Sequence, residues 1–401
     1  TDIQPFYTAL PFSLTGAQSR AVNDILRDMV SPRPMNRLVQ GDVGSGKTMI
    51  AAAAIYFAAK NGLQSALMAP TELLAEQHYH SLAPLLETLG VRCALLTAST
   101  TAKTRRSILS QLESGEIDLA IGTHALISAD VQYQKLGLVV TDEQHRFGVS
   151  QRAALNAKGE NPHLLVMSAT PIPRTLALMI YGDLDVSVVD ELPPGRQAID
   201  TFAVPSSYHE RIYAFLRKLV AEGRQAYIVC PMVAENDELP DERKAVTKYA
   251  EKLQSEVFPD LRVAPIHGKM KPKEKEAVMR AFSAGDIDIL VSTTVIEVGV
   301  DVPNAAVMLI ENAERFGLAQ LHQLRGRVGR SNRRGYAYFT YQRDKVLTEV
   351  ATKRLNAMRE FTQFGSGFRI ALRDLEIRGA GEILGGNQSG HIMQIGYDLY
   401  C

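Results

Sequence analysis

The chain has 401 residues, 46% of them hydrophobic, which is more than one ordinary core requires, so about two or three domains are expected. Lys+Arg and Asp+Glu number 44 each, and the resulting zero net charge excludes a protein that merely coats nucleic acid. Nothing resembles a signal peptide or an apolar run long enough to span a bilayer, so a soluble cytoplasmic protein with no membrane partner is expected.

Cys93, Cys230 and Cys401 lack the spacing of a metal site and suit a reducing compartment. The chain starts at Thr1 without a methionine and ends at Cys401, just after Ile395 to Tyr400 opens a further pattern. It reads as an excised fragment.

Leu10 to Gln18, L-P-F-S-L-T-G-A-Q, comes first. Gln18 can read an adenine edge with its paired donor and acceptor while Phe12 packs against the base. Alternatively this is a helix start with Thr15 as N-cap, and the two readings are compatible.

Gly41 to Thr48, G-D-V-G-S-G-K-T, fits G-x-x-x-x-G-K-[ST]. Gly41, Gly44 and Gly46 permit a tight loop whose N–H groups surround phosphates. Lys47 reaches the outer phosphates, and Thr48 ligates magnesium. Leu38-Val39 end a strand-like run, and Met49 to Ala59 is an alanine-rich helix that stops at Asn61-Gly62. That context places a helix N-terminus against the phosphates of ATP.

Short apolar runs then alternate with helical stretches: Ala66 to Ala69, Cys93 to Thr97, Leu119 to Gly122, Leu138 to Thr141 and Leu164 to Met167. This is the pattern of a parallel sheet covered by helices. Polar clusters end the runs at Pro70-Thr71-Glu72, Gly122-Thr123-His124, Asp142-Glu143-Gln144-His145 and Ser168-Ala169-Thr170. Strand ends are where open α/β sheets bind ligands, so these clusters should share one edge with the phosphate loop. Asp142 is placed to hold the magnesium that Thr48 touches, and Glu143 to orient the attacking water.

Asp190 to Gln197, D-E-L-P-P-G-R-Q, reads as a linker. A second α/β series follows: Ala226 to Cys230, Val263 to Ile266, Ile287 to Val291, Ala306 to Ile310 and Tyr336 to Tyr341. It has no phosphate loop. It carries His267-Gly268, Ser292-Thr293-Thr294, Gly299-Val300-Asp301 and Gln323 to Arg330, Q-L-R-G-R-V-G-R. Arg327 and Arg330 are spaced to face one way and to reach a γ-phosphate when two domains close. The plainer reading is a basic surface continued by Arg333 and Arg334. The lysines at 269, 271, 273 and 275 read equally as a phosphate-binding or a solvated face. From Lys345 the rhythm changes: Leu347 to Phe364 is an amphipathic helix, and the Gly-rich stretch Arg378 to Gly390 follows.

This ordered set of motifs resembles superfamily 2 helicases and translocases along nearly the whole chain. Within that superfamily the motor resembles the RecG family of replication-fork helicases, through L-P-F-S-L-T-G-A-Q, G-D-V-G-S-G-K-T, D-E-Q-H-R-F-G-V (142–149), S-A-T-P-I-P-R-T (168–175) and D-E-L-P-P-G-R (190–196). From about Arg333, and through D-L-E-I-R-G-A-G-E (374–382) and Q-S-G-H-I-M-Q-I-G-Y-D-L-Y (388–400), the chain is more similar to Mfd, the transcription-repair coupling factor. Either a RecG–Mfd chimera joined near 305–335 or an unusual natural RecG is implied.

The resemblance implies two RecA-like parallel-sheet domains in tandem, 1–192 and 193–343. A C-terminal helical hairpin and loop translocation module, 344–401, completes the chain. It implies an ATP-dependent motor on double-stranded or branched DNA, using ATP and Mg2+, monomeric and bacterial, without RNA polymerase contact. Gln323, Arg327 and Arg330 would join Glu143 in catalysis, and Gly299 and Asp301 would join the ATP site. Gln144, His145, Ser168, Thr170, Arg354, Arg378 and Gln388 would couple hydrolysis to movement. Thr71, Thr123, His124, His267 and Thr293 would meet DNA.

Overall fold

The computed structural model describes residues 2–41, 46–142, 158–159, 161–168, 184–189, 199–230, 242–293, 302–329, 333–342 and 349–360. The chain divides into two compact units, one of Thr1–Pro193 with Gly386–Cys401 and one of Pro194–Gly385.

In the first unit, α1 (Gln4–Ala9) and α2 (Gly16–Val30) precede β1 (Asn36–Gly41). Thr15 and Gln18 form a reciprocal cap on α2. Thr15 Oγ1 accepts from the Gln18 N–H at 3.2 Å, and Gln18 Oε1 accepts from the Thr15 N–H at 2.9 Å. Then come α3 (Lys47–Lys60), β2 (Gln64–Met68), α4 (Glu72–Thr88), β3 (Cys93–Leu96), α5 (Ala102–Ser114), β4 (Leu119–Gly122), β5 (Leu136–Asp142), β6 (His163–Ser168) and β7 (Asp185–Val189). The seven strands lie in the order β3-β4-β2-β5-β6-β1-β7 with parallel pairing. Every residue of β2, β4 and β5 is buried, as expected of strands covered on both faces. α3 buries Ile50 to Ala58 without a break, so its small alanines let it sit inside the unit rather than on its surface.

The second unit opens with β8 (Ile199–Pro205), α6 (His209–Ala221), β9 (Gln225–Val229), α7 (Glu242–Lys252) and β10 (Val263–Ile266). It continues through α8 (Pro272–Ser283), β11 (Ile289–Ser292), β12 (Ala305–Ile310), α9 (Leu318–Arg325), β13 (Gly335–Tyr341) and α10 (Glu349–Glu360). Its six strands are ordered β10-β11-β9-β12-β13-β8, again in parallel.

The apolar runs read from the sequence coincide with β2 to β6 and β9 to β13, with ends shifted by no more than two residues. β7 and β8 were not foreseen. They are outer strands with mixed burial, so neither carries a continuous apolar run.

The two units also share a polar lattice where their strands begin. Gln64 Nε2 donates to the carbonyls of Leu112 and Ile117, each at 2.8 Å, and Gln225 Nε2 donates to those of Phe282 and Ile287 at 2.6 and 2.7 Å. Arg92 grips Asp118 and the Gly115 carbonyl; Arg262 grips Asp288 and the Gly285 carbonyl. Buried backbone carbonyls at these loop corners need donors, and the same side chains supply them in both units.

Candidate functional site

β1 delivers Gly41 to the edge of the first sheet, and α3 begins at Lys47. Between them Gly46 adopts φ +85°, a left-handed conformation that favours glycine, and a Cβ there would run into the Gln18 amide nitrogen. Gln18 therefore spends its carbonyl oxygen on the α2 cap and turns its amide nitrogen to the phosphate loop. Lys47 Nζ donates to the Gly41 carbonyl at 2.6 Å, so the ammonium is held across the base of the loop. Thr48 follows on the first turn of α3, where the helix dipole favours an anion. Phe12 is 43% exposed in the segment between α1 and α2.

Asp142 closes β5 and is 7% exposed. Its Oδ2 accepts from His78 Nε2 at 2.5 Å. His78 belongs to α4, is itself 7% exposed, and was not foreseen from the sequence. The available signal was an imidazole standing in the apolar seam of Leu74, Ala75, Leu82 and Leu86, where spacing alone calls for an aliphatic residue.

The other predicted positions of the first unit also lie at strand ends. Thr71 caps α4, its Oγ1 accepting from the Leu74 N–H at 3.2 Å. The neighbouring Glu72 is fastened by Thr97 Oγ1 at 2.7 Å and the Ser99 N–H at 3.0 Å. Thr123 is half-buried after β4, His124 is exposed, and Ser168 ends β6 buried. In the second unit His267 and Thr293 are buried immediately after β10 and β11. Because each sheet is parallel, such residues collect on one edge of their own unit.

In that second unit Gln323 lies on α9 and Arg327 just beyond its end at Gly326. Arg327 is only 4% exposed, so it is not itself part of an exposed basic surface. Between them stands Arg325, 3% exposed and also unforeseen. Its Nη1 donates to the Met358 carbonyl on α10 at 2.9 Å, and its guanidinium also meets His322 Nδ1 at 3.2 Å. Arg354 is half-buried on the same α10. Only the pairing across tertiary structure distinguishes Arg325 from its neighbours in the motif.

Where β12 ends, Glu311 accepts from His209 Nε2 at 2.6 Å, and His209 Nδ1 donates to the Ser206 carbonyl at 2.5 Å. Both ring nitrogens thus face oxygen acceptors, an arrangement that favours the charged imidazole. The Glu311 carboxylate accordingly holds its pKa above the ordinary value. In the first unit His163 behaves oppositely: Nδ1 accepts from the Met35 N–H at 2.8 Å, and burial lowers the pKa.

Gly44, Glu143, Gln144, His145, Thr170, Gly299, Asp301, Arg330, Arg378 and Gln388 lie outside the described residues. Among the described residues there is no cluster of three or more His, Cys, Asp or Glu side chains fit for a metal ion. Nor is any helix among them long and apolar enough to cross a membrane. The residues present nevertheless fit magnesium carried with a nucleotide, which asks for one carboxylate, one hydroxyl and phosphate oxygens.

Residues 15–179 match the DEAD/DEAH box helicase family and residues 210–332 the helicase conserved C-terminal domain. The chain is 53% identical over 388 residues to an ATP-dependent DNA helicase RecG from Synechocystis sp., covering 97% of this chain and 46% of that protein. It is 50% identical over 390 residues to the same-named protein of Bacillus subtilis, covering 97% and 56%. The chain thus spans about half the length of the curated relatives it matches. A structure of RecG bound to a three-way DNA junction superposes with a TM-score of 0.81 at 45% identity, over 99% of this chain and 51% of that one. These likenesses run through most of 333–401, so a graft from a coupling factor is not favoured.

Proposed function

The chain belongs to superfamily 2 of the helicases and carries a RecG-type motor, and from that premise we propose a DNA-stimulated ATPase that moves on double-stranded or branched DNA. We read it as a monomer of the bacterial cytoplasm. The observation that supports this most is the cradle formed by Gly46, Lys47 and Thr48 at the start of α3, in the same unit as the strand-end carboxylate Asp142.

In this reading Gln18 and Phe12 hold the adenine, and Gly41, Gly44, Gly46 and Lys47 cradle the phosphates. Thr48 and Asp142 would hold magnesium, which would neutralise charge developing on the transferred phosphoryl group. Glu143 orients water for attack on the γ-phosphorus, with the bond to the β-γ bridging oxygen breaking in line. Gln323, Arg327, Arg330, Gly299 and Asp301 are the second unit's contribution to binding and hydrolysis. Gln144, His145, Ser168, Thr170, Arg354, Arg378 and Gln388 pass the hydrolytic state to the DNA-contacting residues Thr71, Thr123, His124, His267 and Thr293.

ATP hydrolysis measured without DNA and with linear duplex, single strand or a model fork tests the proposal. Stimulation by duplex or fork is expected, and Lys47→Ala should lower turnover by roughly 100-fold or more. Unchanged hydrolysis in Lys47→Ala would sink the reading.

A further inference from the structure

α4 is packed through Leu74, Ala75, Leu82 and Leu86, all buried, and His78 interrupts this seam at the height where β5 ends. An imidazole buried among aliphatic side chains loses its hydration, and it is retained without penalty only when a polar partner replaces water. That partner is Asp142 Oδ2, at 2.5 Å. The topology explains how they meet. β2 pairs directly with β5, with Met68 opposite Thr141, and the chain leaving β2 enters α4 three residues later.

From this contact we infer that His78 is a positioning residue for the magnesium-binding carboxylate, an inference that rests on reading Asp142 as a magnesium ligand. The bond sets the rotation of the carboxyl group and occupies Oδ2, so Asp142 presents Oδ1 to the metal in one fixed orientation. Carboxylate ligands are commonly held this way by a neighbouring donor, and loss of the donor weakens metal binding about 10–100-fold. In this role His78 acts on the metal through Asp142.

The test is equilibrium binding of a fluorescent ADP to the full 401-residue chain, titrated with Mg2+ from EDTA upward. His78→Leu keeps an apolar side chain in the seam and removes the donor. His78→Gln places an amide donor near the position of Nε2. His78→Leu should raise the Mg2+ concentration at the midpoint about 10–100-fold while leaving ADP affinity in EDTA unchanged, and His78→Gln should recover most of the loss. An unshifted midpoint in His78→Leu would overturn the inference, as would equal losses of affinity with and without Mg2+, or a His78→Gln variant as impaired as the leucine one. If His78→Leu fails to fold, His78→Gln against His78→Asn, whose amide is too short to reach, gives the same comparison. Asp142→Asn separates the two layers. A wild-type Mg2+ midpoint there removes the magnesium role of Asp142 itself, whereas a shift there with none in His78→Leu removes only His78.

Discussion

The two units are built to one plan, with β7 as an extra strand in the first, and they part at one corner. β5 of the first corresponds to β12 of the second, β6 to β13 and β1 to β8, and the Gln64 and Gln225 clamps match as well. Register fixes the equivalence: Thr141 lies opposite Met68 and Ile310 opposite Val229, so Asp142 and Glu311 are the next residues on equivalent strands. In the first unit the acid is held from α4 by His78, and α3 starts with Lys47 and Thr48. In the second the acid is held by His209, the first residue of α6 and the topological counterpart of Lys47. One edge keeps a helix N-terminus available for an anion; the other fills the same place with a histidine–carboxylate pair. A shared fold therefore supplies the position of a nucleotide site, and the residues at one strand-to-helix turn decide whether it exists.

The sharpest way to break this comparison is to neutralise the two acids in parallel. Asp142→Asn should reduce ATP turnover by roughly 100-fold or more with little change in the unfolding midpoint. Glu311→Gln should leave turnover within a few-fold and cost about 2 kcal/mol in urea unfolding, because a charged His209 loses its partner. If Glu311→Gln abolishes turnover and spares stability, the second corner is not the closed counterpart described here.

A smaller effect is expected at Arg325. Arg325→Ala removes the donor to the Met358 carbonyl and should lower stability by about 2–3 kcal/mol, read from urea unfolding followed by tyrosine fluorescence, since the chain has no tryptophan. Arg325→Lys should recover only part, because a point charge does not reproduce the fork that reaches both Met358 and His322. Full recovery by lysine would reduce Arg325 to a charge without geometry.

The smallest effect is a contrast in pH. His209 has a raised pKa in the folded state, so its stabilising contribution is complete below the ordinary histidine value of about 6.5 and is lost as pH rises through the folded value. His163 has a lowered pKa, so its contribution is complete above about 6.5 and is lost as pH falls towards the folded value. His209→Gln should therefore flatten the alkaline side of the stability profile near neutrality, and His163→Asn the acidic side. Two variants that flatten the same side would contradict the assignment of donor and acceptor at these rings.

Central parallel strands were legible in the sequence because strands buried on both faces carry continuous apolar runs, as in Ala66–Met68 and Ala305–Ile310. The phosphate loop and Asp142 were legible because a glycine-rich turn between strand and helix, and an acid at a strand end, are local patterns. β7 and β8 escaped because polar residues interrupt their apolar runs, D-V-S-V-V and I-D-T-F-A-V-P. His78, Arg325 and the His209–Glu311 pair escaped for another reason: each acts through a partner 64, 33 or 102 residues away.

The sequence by itself thus determined the class of fold and the helicase superfamily, since both rest on periodicity and short-range spacing. Only the tertiary structure decided which buried polar groups meet: that Asp142 is held by a histidine, that Arg325 fastens α10, and that the second unit's matching corner is closed. Hydrogen bonds between residues distant in the chain leave no periodic trace, and they exist only once the strands have been placed side by side.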